Sequence, residues 1–471
     1  MKAGSGRRWW PLGWWPRRAV AVWLVARVAL VAAPAQVATV REEIAALERT
    51  GVRVGVAAVR LPSGDLLVHH AAREVFLPAS NQKLLALAAV LHGLGPAHEF
   101  VTRFHLRGGA LVVETSGDPN WTTGGAHDPR AILAEVAASL RGRGVDAVRA
   151  VELDTTRFPG GPRPAEWRIY DSALEYCPPT GALVLDAGCF EALLTTPAGA
   201  SAADIAIVAP PAAFRVDGSI ALTSDRKKGA VYGLAARGEA IRAWGALWSK
   251  VEERRVRGAF PDADSVTVRA LQTCLERAGV AVRGDAAPAD AECVHEHRSP
   301  LTLALLPMLH ESSNFHAEQV VRALGAAKRG DGSCTGGSVA MAEELRAMVG
   351  EWPDVVLDDA AGLSRKNRVS PAFLVTVLAA CAQEPWSAVY HDSLATGGEG
   401  TLEKRFLEAG FSVRAKTGTL RDASTLSGYL DTDTGTVAFV IFVNLRRGGK
   451  VAHAQWRRAQ DRIVRAIAEA G

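Results

Sequence analysis

The body of this chain lacks a strong net charge of either sign. Its 54 Lys and Arg stand against 50 Asp and Glu, but Lys2, Arg7, Arg8, Arg17, Arg18 and Arg27 all precede residue 36, in a stretch without one acidic residue. Setting those six aside leaves 48 basic against 50 acidic residues, a net of −2. A near-neutral body offers no electrostatic footprint for nucleic acid, so that class of partner is excluded before any motif is read. An internal repeat is also missing, and the fold must be built from distinct elements. Disorder is excluded by the composition, 48% hydrophobic and 22% charged, and 471 residues are enough for about two to four domains.

The positive charge belongs to the leader. A basic n-region, an apolar stretch from Ala19 to Ala33 and the small-residue Ala33-Pro34-Ala35 read as a secretory signal peptide over residues 1–35. The competing reading is an uncleaved anchor, helped by Trp9, Trp10, Trp14 and Trp15, but Arg27 at a bilayer centre would cost roughly 2.5–3.5 kcal/mol. Export to the periplasm or another extracytoplasmic space follows, with peripheral membrane or wall association left open. In that setting the six cysteines, an even number, fit disulfides, and Cys177 with Cys189, Cys274 with Cys293 and Cys334 with Cys381 would close the shortest loops. Buried thiols are the alternative. Cys293, His295 and His297 alternate and would share one face of a strand, yet no fourth zinc ligand is evident and Cys293 is wanted for a disulfide, so no metal is expected.

After the leader, alternating Val52, Val54 and Val56, a turn at Pro62-Ser63-Gly64-Asp65 and the return from Leu66 to His69 predict a hairpin. From Ser80 to Leu94 the chain is rich in Leu and Ala with no breaker, which places Ser80 at the start of a buried helix. The middle, from about Phe104 to His297, turns Gly-rich with short apolar runs and reads as inserted β-rich material. Apolar helices are expected at Leu301–His310 and Phe315–Leu324. Near the end, Thr425–Leu430 and Thr436–Asn444 flank a turn, and a final helix carries Trp456, Ala459, Ile463 and Ile467 on one face. Helices on an antiparallel sheet, interrupted by an insertion, make an α+β architecture.

Three short motifs stand in order: Ser80-Asn81-Gln82-Lys83, Ser312-Ser313-Asn314 and Lys416-Thr417-Gly418. Each alone is weak, since Ser80 can be a helix cap beside a solvated Lys83, and Ser312 and Asn314 can cap a helix before Phe315. Together their chemistry is specific. Residues three apart share a helix face, so Lys83 can reach the Ser80 hydroxyl, and a desolvated lysine is neutral enough to serve as its base. Backbone N–H groups at that helix start favour negative charge growing on a carbonyl oxygen. An edge strand from Val413 to Leu420 can pair with an extended peptide, Gly418 leaving room, Thr419 N–H supplying a second oxyanion donor, and Lys416 and Thr417 gripping a terminal carboxylate. Ser312 can relay a proton to the leaving amine, and Asn314 can bond the substrate backbone or steady Lys83.

Motifs of these three kinds in this order mark penicillin-recognising serine enzymes. With Gly117-Asp118-Pro119, Glu311 through Glu318, Gly362-Leu363-Ser364-Arg365, Gly400-Thr401-Leu402 and Arg414 through Leu420, the chain from about 45 to 460 resembles the low-molecular-mass class C penicillin-binding proteins, the S13 peptidase family. The resemblance implies a transpeptidase-like domain over 36–103 and 298–471, a second domain inserted at 104–190 and 256–297, and a third nested at 191–255. It makes Ser80 the acylated nucleophile and Lys83 its base. Ser312, Asn314 and Lys416 complete the catalytic set, with Thr417, Gly418 and Thr419 on the substrate and Arg365 against the stem peptide. Asp171, after Trp167, is the nearest candidate for holding a diamino acid's amino group, and a solvated loop carboxylate is the alternative. Where the family has Asp-Gly-Ser-Gly-Leu-Ser, this chain reads Asp358-Asp359-Ala360-Ala361-Gly362-Leu363-Ser364, which alters the cleft wall.

The implied activity is D-Ala-D-Ala carboxypeptidase and endopeptidase action on peptidoglycan stem peptides, with β-lactams as covalent inhibitors and no cofactor. A β-lactamase or esterase on the same scaffold is the enzymatic rival; a penicillin-binding sensor that acylates without turnover is the rival from another class.

Overall fold

The computed structural model describes residues 34–167, 172–238, 240–407 and 410–470. Nearly all of the expected leader, and Asp171, lie outside the described residues. Among the described residues no helix is long and apolar enough to cross a membrane.

The two ends of the chain meet in one antiparallel sheet of six strands. Its order is Ala395–Thr396, Ser412–Leu420, Ala423–Thr432, Gly435–Leu445, Val52–Arg60, Leu66–His70. The strand Val52–Arg60 is flanked by the late strand Gly435–Leu445, with Val56 opposite Ile441, and by its hairpin partner Leu66–His70. Its near-continuous apolar sequence is explained by burial on both faces. Val54, Val56, Ala58, Phe439 and Ile441 point to one hydrophobic core, whereas Ala57, Val59, Val440 and Phe442 point to another. That split is the period-two alternation of a strand, written in residues that are apolar throughout. The first core is covered by Val40, Ile44 and Leu47 of the helix Pro34–Glu48 and by Trp456, Ala459, Ile463 and Ile467 of the last helix, His453–Ala470. The second holds the buried helix Gln82–Leu94 together with Asn314–Arg329, Cys334–Val349 and Pro371–Cys381.

The interruption leaves and returns at one place. Strand Glu99–Arg107 on the way out pairs antiparallel with Ala291–Pro300 on the way back, Val101 facing Arg298. Neighbouring entry and exit let a long segment be inserted without disturbing the parent sheet. The insertion is less purely β than its composition predicts, because it includes the helices Pro129–Arg141 and Asp264–Arg277, packed on a four-stranded sheet. The first has a clear local cause: the Asp128 side chain accepts from Arg130 N, and Pro129 occupies the first helical position, where its missing N–H costs nothing. A separate cluster around Phe190, Ile241 and Leu247 is built mainly from strands, with Val266 of the helix Asp264–Arg277 packed against it.

The disulfide expectation is overturned: all six cysteines are thiols. Two of the three expected pairs lie in different surroundings, whereas Cys177 and Cys189 are both buried near Arg163. Cys274 lies in a hydrophobic core while Cys293 is exposed, and Cys381 is buried in the core that holds the helix Gln82–Leu94 while Cys334 stands half-buried at a helix start. Cys189 and Cys334 instead turn their sulfurs to the carbonyls of Glu175 and Gly161. Among the described residues no group of three or more His, Cys, Asp or Glu is placed to hold a metal; His297 bonds His127 at 2.9 Å, and His295 lies 3.4 Å from Glu135.

Candidate active site

Ser80 sits in a single 3-10 turn, Ala79–Asn81, that feeds the helix Gln82–Leu94. The helix is buried from Gln82 to Leu91 because its residues are almost all Leu, Ala and Val, and it carries Lys83 inside with it. Lys83 Nζ lies 3.2 Å from Ser80 Oγ and donates to Asn314 Oδ1 at 2.6 Å and to the Ala361 carbonyl at 2.8 Å. The last two partners can only accept. A neutral amine has two N–H bonds and one lone pair, so once Asn314 and Ala361 take the N–H bonds, the lone pair is left for the Ser80 hydroxyl. Burial lowers the Lys83 pKa to about 7, against the opposing pull of Asp359 and then Glu318.

Two buried carboxylates shape the wall behind that amine. Glu318 Oε1 accepts from Ala360 N and Ala361 N, both at 2.8 Å, and burial followed by the charge of Asp359 raises its pKa to about 8. Asp359 accepts from Gly362 N, Ser364 N, Asn367 Nδ2 and the indole N–H of Trp167. Together they fix the Ala361 carbonyl on which Lys83 depends. Neither is evident from motif spacing alone. The chemical signal for Asp359 was the departure Asp358-Asp359-Ala360-Ala361 itself, a carboxylate followed by small residues whose N–H groups it can collect.

The second motif divides its labour. Ser313, not Ser312 or Asn314, caps the helix Asn314–Arg329 by accepting from His316 N. Asn314 is thereby left to hold Lys83 with its oxygen and the Tyr176 carbonyl, at 2.7 Å, with its nitrogen. Ser312 has φ +62°, a left-handed conformation that costs a non-glycine residue about 1–3 kcal/mol, and it lines the cleft.

The third motif is locked to the first by hydrogen bonds. Asn81 Nδ2 donates to the Lys416 carbonyl at 2.6 Å, Ser427 Oγ donates to Asn81 Oδ1 at 2.8 Å, and Thr425 Oγ1 donates to the Pro78 carbonyl at 2.9 Å. The strand Ser412–Leu420 therefore passes so close to Ser80 that a Cβ on Gly418 would lie 2.9 Å from Ser80 N. The Lys416 side chain is buried, Nζ donating to the Thr417 carbonyl, and burial followed by the positive charge of Lys83 holds its pKa well below that of a free lysine. On the outer edge, Ala395–Thr396 pairs only as far as Ala415 and Arg414, so the edge from Lys416 to Leu420 is open. Asn81→Ala removes the clamp and leaves the buried Lys416 carbonyl unpaired. It should lower stability by about 1–3 kcal/mol, read as a shifted urea midpoint, and slow labelling of Ser80 in parallel.

A cleft of about 770 Å³ runs along this edge, lined by Ser80, Trp167, Ser312, Asn314, Arg365 and Thr419 among others. The geometry thus brings Ser80, Lys83 and Asn314 into direct contact and places Ser312, Thr419 and Arg365 around them. Arg365 is charge-matched, its guanidinium donating to Asp422. The arrangement can do acyl transfer: a hydroxyl, an amine whose lowered pKa lets it take that proton, and backbone N–H groups at the start of a helix and on an open edge strand.

Comparison with known proteins gives a consistent result. The model of the D-Ala-D-Ala carboxypeptidase 3 (S13) family matches residues 35–468. A D-alanyl-D-alanine carboxypeptidase of Actinomadura sp. (strain R39) is 31% identical over 487 residues, covering 93% of this chain and 86% of that protein. D-alanyl-D-alanine carboxypeptidase DacB of Haemophilus influenzae is 25% identical, covering 84% and 86%. The crystal structure of penicillin binding protein 4 (dacB) from Haemophilus influenzae superposes with a TM-score of 0.73 at 23% identity, covering 90% of this chain and 98% of that one. The structural likeness is one of fold.

Proposed function

The chain belongs to the D-Ala-D-Ala carboxypeptidase 3 (S13) family, and from that premise we propose that it cleaves peptidoglycan stem peptides through an ester on Ser80. It is a serine peptidase by family. The observation that carries the residue-level reading is Lys83 held 3.2 Å from Ser80 Oγ with its two other contacts on pure acceptors.

In the first half-reaction Lys83 takes the Ser80 proton as Oγ bonds to the carbonyl carbon preceding the terminal D-alanine. The oxyanion is held by the N–H groups of Ser80 and Thr419. The C–N bond then breaks, and D-alanine leaves with a proton passed from Lys83 through Ser312. Water hydrolyses the ester in the second half. Lys416 and Thr417 face the substrate carboxylate, Arg365 and Leu363 the peptide behind the scissile bond. Attack on a cross-link in place of a free terminus makes the same chemistry an endopeptidase. β-Lactams, which mimic the acyl donor, acylate the same hydroxyl. The basic, apolar leader supports action outside the cytoplasm, where this substrate is.

Incubation with a stem pentapeptide ending in D-Ala-D-Ala is expected to release D-alanine, and a β-lactam to label Ser80. Because the base works only without its proton, and its pKa is lowered to about 7, the acylation rate should be level above that pH. Below it, the rate should fall about tenfold per pH unit. Absence of D-alanine release, or a rate flat from pH 5 to 8, would count against the mechanism.

A further inference from the structure

A second cavity, also about 770 Å³, shares Tyr176, Ser312 and Asn314 with the catalytic cleft but is lined neither by Ser80 nor by any residue of the strand Ser412–Leu420. Its remaining walls come from two sides: the start of the helix Asn314–Arg329, with His316, and the inserted segment, with Arg130, Asp186 and Arg257. The partition between the two spaces is held in place, since Asn314 Nδ2 donates to the Tyr176 carbonyl. The wall is built as well. Asp186, 6% exposed, accepts from Thr123 N and Thr123 Oγ1, both at 2.8 Å, while its own carbonyl accepts from Arg257 at 3.4 Å.

The catalytic cleft is the place for the acyl half of a substrate, because it includes Thr419, Leu420 and Arg421 of the open edge together with Arg365. A peptide lying there ends, in the other direction, at Ser312 and Asn314. For a carboxypeptidase only one D-alanine lies beyond that point, far too little to occupy the second cavity. The groups around that cavity are of both signs, Arg130 and Arg257 against Glu175 and Glu311, which complement a short peptide bearing free carboxylates and an ammonium group.

We propose that this second cavity binds the leaving half of a cross-linked substrate, a stem peptide whose side-chain amine is joined in amide linkage to the D-alanine carbonyl of the acyl half. The inference rests on the acyl-transfer reading of Ser80. In the step it serves, the Ser80 Oγ–carbon bond forms and the amide C–N bond of the cross-link breaks. The Ser80 proton, carried by Lys83, ends on the departing amine. Arg130 and Arg257 hold that second stem through its carboxylates and touch no reacting atom, so they are positioning residues of the cross-link-cleaving activity.

The test compares two substrates in one protein: a purified cross-linked muropeptide dimer and a single stem pentapeptide. Wild-type protein is expected to cleave both. Arg257→Ala and, separately, Arg130→Ala should each lower the ratio of kcat/KM for the dimer to kcat/KM for the monomer by about tenfold, with β-lactam labelling of Ser80 confirming that the variants fold. A ratio unchanged in both variants overturns the proposal, as does a wild type that releases D-alanine but leaves the dimer intact. Failure to act on the monomer would instead strike the acyl-transfer reading.

Discussion

In Lys83→Ala, acylation of Ser80 by a β-lactam is expected to fall by about 10²–10⁴, the range in which removal of a general base is felt. The side chain is fully buried, so a collapsed core would produce the same loss. Lys83→Met separates the two causes, because it fills the same volume with an unbranched apolar chain that cannot take a proton. Both variants are expected to fold, since a buried amine with a strongly lowered pKa contributes little to stability, and both should be nearly silent towards the β-lactam at pH 8 as well as at pH 6. The retained hydroxyl and N–H groups still allow slow labelling. Mass spectrometry of intact protein after timed exposure gives the rate directly. Labelling at the wild-type rate in Lys83→Met would remove Lys83 from the mechanism and leave Ser80 without an identified base.

Much of this site was legible in the sequence, and what was not has physical reasons. The hairpin from Val52, the helix after Ser80 and the apolar face of the last helix all follow from periodicity, a property of a few neighbouring residues. The contacts of Lys83 with Asn314 and of Asn81 with Lys416 do not, and the convergence of the motifs is inferred only because three of the right kinds stand in one order. The cysteines show the limit of pairing by sequence distance. Cys274 and Cys293 are close along the chain, but one faces a core and the other solvent. A disulfide needs Cα atoms within roughly 7 Å and converging side chains, which no spacing can reveal. The sequence assigns Asn81 no task within its motif; its role as a clamp on Lys416 and Ser427 depends on contacts 335 and 346 residues away. Glu318 has no function legible in the stretch Glu311 through Glu318, because its task, collecting two backbone N–H groups from Ala360 and Ala361, exists only once the chain has returned.

Gly362→Ala should be among the most destabilising single-methyl changes in the molecule. Gly362 has φ +87°, in the region that β-substituted residues rarely adopt, and a Cβ there would lie 1.9 Å from the Ala79 carbonyl oxygen and 2.4 Å from its carbon. Both obstacles are backbone, so no rotamer relieves them. Ala79 has little freedom to retreat: its own φ is +48°, and it precedes the nucleophile. Overpacking of about 1–3 kcal/mol and left-handed strain of about 1–3 kcal/mol together give an expected loss of about 2–6 kcal/mol. Gly330→Ala supplies the control, because Gly330 also has a positive φ, +70°, but nothing lies near its added methyl group. It should show the strain contribution alone. The consequences are not confined to stability, since Gly362 N donates to Asp359 and the same loop presents the Ala361 carbonyl to Lys83. A displaced loop therefore withdraws an acceptor from Lys83 and moves the residue before Ser80 in one step. Urea midpoints and β-lactam labelling rates should fall together in Gly362→Ala, and only the midpoint should move in Gly330→Ala. Equal midpoints for the two variants, with labelling intact in both, would show that the approach of Gly362 to Ala79 is not what holds the nucleophile in place.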